Sequence, residues 1–262
     1  MAATSGFSVC AFGCTVYAEA DNRECFAVLD RYIFPAFPRS DSDGASAAIT
    51  LRATRAAGAV QLRVSGRLAA SAAQPIGLVP DIIHAIDEAV VKQLAGLRAV
   101  HAGAVLWNGR ALLLPGTTHC GKSSLVAELL RRGATYLSDE YALIDSEGLV
   151  HPYPRPLLLR EEGGKQVPVL ASELNAPIGD GAVPLGWVAF INYKAGERWS
   201  VTPMAQSLAV LALLQNTPHA LADSPQMVQH FERAVSVAAC FIGRRGDATD
   251  AAVELLQLIG TS

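Results

Sequence analysis

The sequence predicts an α/β fold built on a mixed sheet, with a β-rich N-terminal portion, and three observations carry that expectation. Residues 116–123 read Gly-Thr-Thr-His-Cys-Gly-Lys-Ser, a complete G-x-x-x-x-G-K-[ST] loop set between a short apolar run and an amphipathic segment. Two apolar runs before it, 102–107 and 110–115, are joined by Asn108-Gly109, the strongest short-range hairpin signal. The first third of the chain alternates short apolar runs with polar turns.

In chain order, residues 7–12, 25–29, 48–51 and 61–64 read as strands. Residues 81–94 carry apolar side chains at helical spacing, with Pro80 and Asp81 as start signals, so a helix closes this portion. We therefore expect a β-rich unit over 1–95 and a phosphate-loop domain over 96–262. A two-residue hairpin loop fixes the register of the next pair: Trp107 faces Arg110, Ala104 faces Leu113, and by continuation His101 faces Gly116.

After the strand at 111–115 and the loop, residues 122–132 form an amphipathic helix that Gly133 ends. Eleven residues span about 16 Å at 1.5 Å per residue, enough to recross the sheet. The following run, 134–138, is then a strand parallel to 111–115, and ligands sit at the carboxyl ends of such strands. Asp139 and Glu140 arrive there. Farther on, His151-Pro152-Tyr153-Pro154-Arg155-Pro156 is stiffened by three prolines, and 203–215, 224–241 and 250–258 read as packing helices that offer little chemistry.

Composition narrows the function classes. The chain has 262 residues, 51% hydrophobic and 17% charged, with a net charge of −3, and no run of Lys and Arg exceeds two. Such a surface offers no basic field for nucleic acid or an anionic membrane. The five cysteines are odd in number and form no C-x-x-C pair, which suits reduced thiols in a cytoplasm. Neither a signal peptide nor a membrane span is visible; the apolar run 204–214 is too short to cross a bilayer.

The loop composition has separable reasons. Gly116 and Gly121 allow the backbone angles that turn successive N–H groups inward, while Thr117, Thr118, His119 and Cys120 contribute backbone donors to the cradle. Lys122 reaches β and γ phosphate oxygens as a point charge, and Ser123 offers a hydroxyl to Mg²⁺, with Ser124 a weaker alternative. Together with His101 and the pair Asp139-Glu140, the loop supplies what phosphoryl transfer needs. One acid acts as base and the other as metal ligand, in either order, with His101 orienting the base. Arg155, Arg160 and Arg198 are candidate cations for transferring phosphate or an acidic substrate.

His101-Ala102-Gly103-Ala104-Val105, the hairpin, the loop 116–123 and Tyr136-Leu137-Ser138-Asp139-Glu140 resemble the catalytic domain of HPr kinase/phosphorylase, over about residues 97–160. That family shares a core with phosphoenolpyruvate carboxykinases. The resemblance implies an ATP- and Mg²⁺-dependent kinase acting on a serine hydroxyl of a peptide or protein, with His101 paired to a catalytic carboxylate. Asp139 and Glu140 take the places of the family's Asp-Asp, the second being Glu here. The front end is unlike the HPr kinase N-terminal domain. Chain length, Tyr-Leu-Ser-Asp-Glu and Pro-Tyr-Pro-Arg-Pro are similar to the stand-alone relatives that include lasso peptide kinases, which implies the C-terminal serine of a precursor peptide as acceptor. HPr-type protein kinases, small-molecule hydroxyl kinases and other NTPases are the alternatives, and homo-oligomers are compatible with all of them.

Overall fold

A computed structural model describes residues 5–40, 44–56, 58–117, 120–161, 163–218 and 224–260. The chain is mixed α/β and divides into two compact units, Met1–Ala95 with Arg160–Leu170, and Gly96–Leu159 with Ala171–Ser262. The chain therefore leaves the second unit for residues 160–170 before returning to it.

In the first unit, β1 (Ser5–Ala11) and β2 (Cys14–Ala20) form a hairpin across Phe12-Gly13, both at positive φ (51° and 80°), as a two-residue turn matched to strand twist requires. Residues 25–29, expected as a strand, lie instead inside α1 (Arg23–Tyr32). Asn22 caps that helix by accepting the Cys25 N–H at 2.9 Å, and Cys25, Leu29 and Tyr32 bury one face at i, i+4 and i+7. Next come β3 (Arg39–Ser40), β4 (Ile49–Ala56), β5 (Ala59–Val64), β6 (Arg67–Ala72) and α2 (Val79–Gln93). The sheet runs β3-β1-β2-β4-β5-β6, with β2 and β4 parallel.

The second unit opens with β7 (Leu97–Trp107) and β8 (Arg110–Pro115), paired in the expected register, Trp107 opposite Arg110 and Ala104 opposite Leu113. The helix α3 (Lys122–Arg131) follows the loop. Its end is a Schellman cap: Gly133 has φ 95°, its N–H donates to the Leu130 carbonyl, and the Ala134 N–H donates to the Leu129 carbonyl. β9 (Thr135–Ser138) pairs antiparallel with β7. It therefore runs in the same direction as β8, as expected, but with β7 between them.

Then come β10 (Tyr141–Asp145), β11 (Leu149–His151) and β12 (Leu157–Arg160); β13 (Gln166–Val169) lies in the first unit. Back in the second unit are β14 (Val183–Tyr193), β15 (Ser200–Pro203), α4 (Gln206–Gln215), α5 (Ser224–Val235), β16 (Ala239–Arg245) and α6 (Ala248–Gly260). The expected helix over 224–241 is thus a helix and then a strand, and Pro203 ends a strand rather than opening a helix. The order is β11-β10-β7-β8-β14-β16-β15, and β11 also pairs with β14, so the pairings β7-β8-β14-β11-β10 close on themselves.

Both faces of this sheet are covered, which explains the continuous apolar runs. In β8, Leu112 and Leu114 pack in a cluster with α3 and α6, while Ala111 and Leu113 pack in another with α4 and α5. β8, β14 and β16 are mutually parallel and β9 shares their direction, so four carboxyl ends converge on one edge. Among the described residues no helix is long and apolar enough to cross a membrane.

Candidate active site

The phosphate loop leaves the end of β8 and enters α3. The Gly116 N–H donates to the His101 carbonyl at 3.2 Å, so the hairpin ladder continues one step and sets His101 against the loop, as the register predicts. The His101 N–H donates to the Asn216 carbonyl at 2.7 Å, and His101 also pairs with Tyr141 of β10. Thr118 and His119 lie outside the described residues. Gly121 sits at φ 85°, where a Cβ would meet Arg245 Nη2 at 2.6 Å and Tyr193 Cβ at 2.9 Å; conformation and space both require glycine here.

Lys122, at the first turn of α3, is 8% exposed. Its Nζ donates to the carbonyls of Gly116 (2.8 Å) and Thr117 (3.1 Å) and lies 3.5 Å from His101 Nε2. Ser123 is half-buried and faces Asp139, whereas Ser124 is exposed.

Asp139 and Glu140 are neighbours with opposite surroundings. Asp139 is fully buried, and neither carboxylate oxygen meets a donor in hydrogen-bond geometry, although the Ser123 hydroxyl is close enough to act on it. Burial pushes its pKa up from 3.8 to about 7, opposed by the Arg155 charge and Ser123 and reinforced by Glu140. Glu140 is bonded through Oε1 to His101 Nε2, and its Oε2 lies 3.5 Å from Arg155 Nη2. Burial works against its charge, but the His101 hydrogen bond and the Arg155 guanidinium override it and hold the pKa at about 2.

The proline-rich segment presents Arg155, which is 4% exposed. The Tyr153 N–H donates to the Leu137 carbonyl and the Tyr136 hydroxyl to the Arg155 carbonyl, both at 2.8 Å, so the segment is pinned along β9. The structure thus gathers His101, Lys122, Ser123, Asp139, Glu140 and Arg155. Of the other two candidate cations, Arg160 belongs to the first unit and is exposed, and Arg198, in the turn after β14, is exposed.

Sequence reading missed Arg245 and Tyr193. Arg245, at the end of β16, is 2% exposed; its Nη2 donates to the Gly121 carbonyl at 2.6 Å and its Nη1 to the Gly246 carbonyl at 2.8 Å. The Tyr193 N–H, at the end of β14, donates to the Cys120 carbonyl at 3.1 Å. The available signal was the apolar run Ala239-Cys240-Phe241-Ile242 broken by Gly243, which reads as a buried strand whose end would reach the ligand edge.

Chemically, the arrangement can bind an anion at the loop and α3 N-terminus and hold a hard divalent cation between Ser123 and Asp139. Orphaned buried oxygens beside a hydroxyl fit such an ion. Among the described residues no cluster of three or more His, Cys, Asp or Glu could cage a metal by itself; a cation that shares phosphate ligands needs none. No protein-family model matches this chain, and no match to it is found among curated proteins.

Proposed function

We propose that the chain is a kinase with an HPr-kinase-like P-loop core, which uses ATP and Mg²⁺ to phosphorylate a serine hydroxyl of a peptide or protein. The carrying observation is the split between two adjacent acids, Asp139 buried without donors beside Ser123, and Glu140 held ionised by His101 and Arg155. Bound between Ser123 and Asp139, the cation would draw negative charge from the transferring phosphoryl group.

The chain's own groups do the rest. Lys122 exchanges the Gly116 and Thr117 carbonyls for phosphate oxygens, and the loop N–H groups cradle them. Glu140 accepts the proton of the attacking hydroxyl; His101 and Arg155 fix its orientation and charge. Its side chain is 24% exposed, so the proton can leave to solvent once transfer is done. The C-terminal serine of a ribosomally made precursor, as in lasso peptides, is the narrower form of this proposal.

The test is incubation of the protein with γ-labelled ATP, Mg²⁺ and peptides bearing internal or C-terminal serine. Labelled phosphoserine that disappears in Lys122→Ala supports the reading. ADP release at the same rate with and without peptide, and no labelled peptide, would make the protein a hydrolase instead.

A further inference from the structure

Two carbonyls at the end of the phosphate loop are held from outside the loop. Cys120 is gripped by the Tyr193 N–H and Gly121 by the Arg245 guanidinium. Peptide planarity converts this grip into an orientation of donors, because the carbonyl of one residue lies antiparallel to the N–H of the next. Holding the Gly121 carbonyl along α3, where it also accepts the Leu125 N–H at 3.3 Å, turns the Lys122 N–H out of the helix N-terminus. Holding Cys120 does the same for the Gly121 N–H.

Arg245 is unusual for a buried cation. Among the described residues it forms no ion pair with a carboxylate. Its Nε is buried without a partner, and the guanidinium lies over the Tyr193 ring at 5.3 Å. Uncompensated buried charge costs stability unless it meets a counter-charge. Asp247, two residues on, acts on Arg245 through space without pairing with it, and an anion in the loop that Arg245 supports would add the counter-charge that it lacks.

We propose that Arg245 is the positioning residue of the phosphate loop. It fixes the Gly121 carbonyl so that the Lys122 N–H faces phosphate, and its charge is balanced by the bound polyphosphate. The inference rests on the nucleotide reading above but has a consequence in the free protein. Lost charge-assisted hydrogen bonding of this kind corresponds to roughly 10- to 100-fold in an equilibrium constant.

The experiment compares wild type, Arg245→Met and Arg245→Lys by Mg-ATP titration and by hydrogen exchange of the 121–125 amides without nucleotide. We expect Arg245→Met to bind Mg-ATP roughly 10- to 100-fold more weakly, and its loop amides to exchange faster by a similar factor. Amides of β10 and α5 should keep their protection, which separates a loop effect from general loosening. Arg245→Lys guards against a Met variant that does not fold: it keeps the charge, but its single nitrogen does not reproduce the separate positions of Nη1 on Gly246 and Nη2 on Gly121, so faster loop exchange is still expected. Wild-type exchange and wild-type affinity in these variants would overturn the proposal. If the wild type itself binds no Mg-ATP, the nucleotide reading falls, and the exchange arm still decides whether Arg245 positions the loop.

Discussion

Replacing Asp139 by Asn should stabilise the free protein while removing the proposed kinase activity. Asp139 is fully buried, lacks a donor on either oxygen, and has its pKa raised from 3.8 to about 7. A folded-state pKa above the unfolded value means that the folded protein binds more protons between the two, so stability is complete below about 4 and is lost as pH rises to 7. The slope is about 1.4 kcal/mol per pH unit, and the displacement from 3.8 to about 7 amounts to ~4 kcal/mol above neutrality. Asparagine has nearly the same shape and carries no charge, and its amide can donate to the Ser123 hydroxyl. Denaturant unfolding of both proteins without Mg²⁺, from pH 4.5 to 8.5, measures the difference. The advantage of Asp139→Asn should widen up to about pH 7 and then level off. An advantage that does not change with pH would refute the claim that Asp139 is the titrating buried group.

Since a cation needs the ionised carboxylate, the Mg²⁺ concentration for half-maximal activity should rise about tenfold per pH unit below 7 in the wild type; a pH-independent Mg²⁺ requirement would contradict the assignment. Glu140→Gln should lower kcat by roughly 10²- to 10⁴-fold with Mg-ATP affinity retained, as read from steady-state kinetics and direct titration. Gly103→Ala should destabilise the second unit by about 1–3 kcal/mol, because the added Cβ would lie 2.5 Å from Val126 Cγ2; adding Val126→Ala should recover part of that in thermal unfolding. Tyr136→Phe removes the 2.8 Å hydrogen bond to the buried Arg155 carbonyl and should cost about 1–3 kcal/mol, with kcat falling as Arg155 loses its anchor.

What local rules govern was legible in the sequence. Asn108-Gly109 fixes the hairpin, and the ladder then carries His101 to Gly116 without further information. Gly133 announces the end of α3 because only a left-handed residue completes its cap. The misreadings share one cause, windows too short to separate periods. Over residues 25–29, apolar side chains fit a strand, and only the longer set Cys25, Leu29 and Tyr32 with the Asn22 cap shows a helix. Past α5, Ser236 to Ala238 carry neither Gly nor Pro, so nothing local marks the change to β16. The Arg245 to Gly121 bond joins residues 124 apart in sequence; it follows from strand order, which no single motif encodes.

Adjacent acids with opposite environments require a backbone that sends them to different sides. β9 ends at Ser138 and β10 begins at Tyr141, and the two residues between are fixed by the Ser138 hydroxyl donating to the Tyr141 carbonyl at 2.6 Å and by the Ala102 N–H donating to the Glu140 carbonyl at 3.0 Å. The corner sends Asp139 toward Ser123 and Glu140 toward His101 and Arg155. Leaving aside the imidazole and Arg245 behind the loop, Lys122 and Arg155 contribute two positive charges and Glu140 one negative. The site is therefore one charge positive while Asp139 holds its proton. Ionising Asp139 alone would cancel that charge and weaken the hold on phosphate. Ionising it to a divalent cation instead leaves the site two charges positive. On the proposed kinase reading, burial of Asp139 would tie its negative charge to the arrival of the metal, and a carboxylate that was solvated and always ionised would not make that connection.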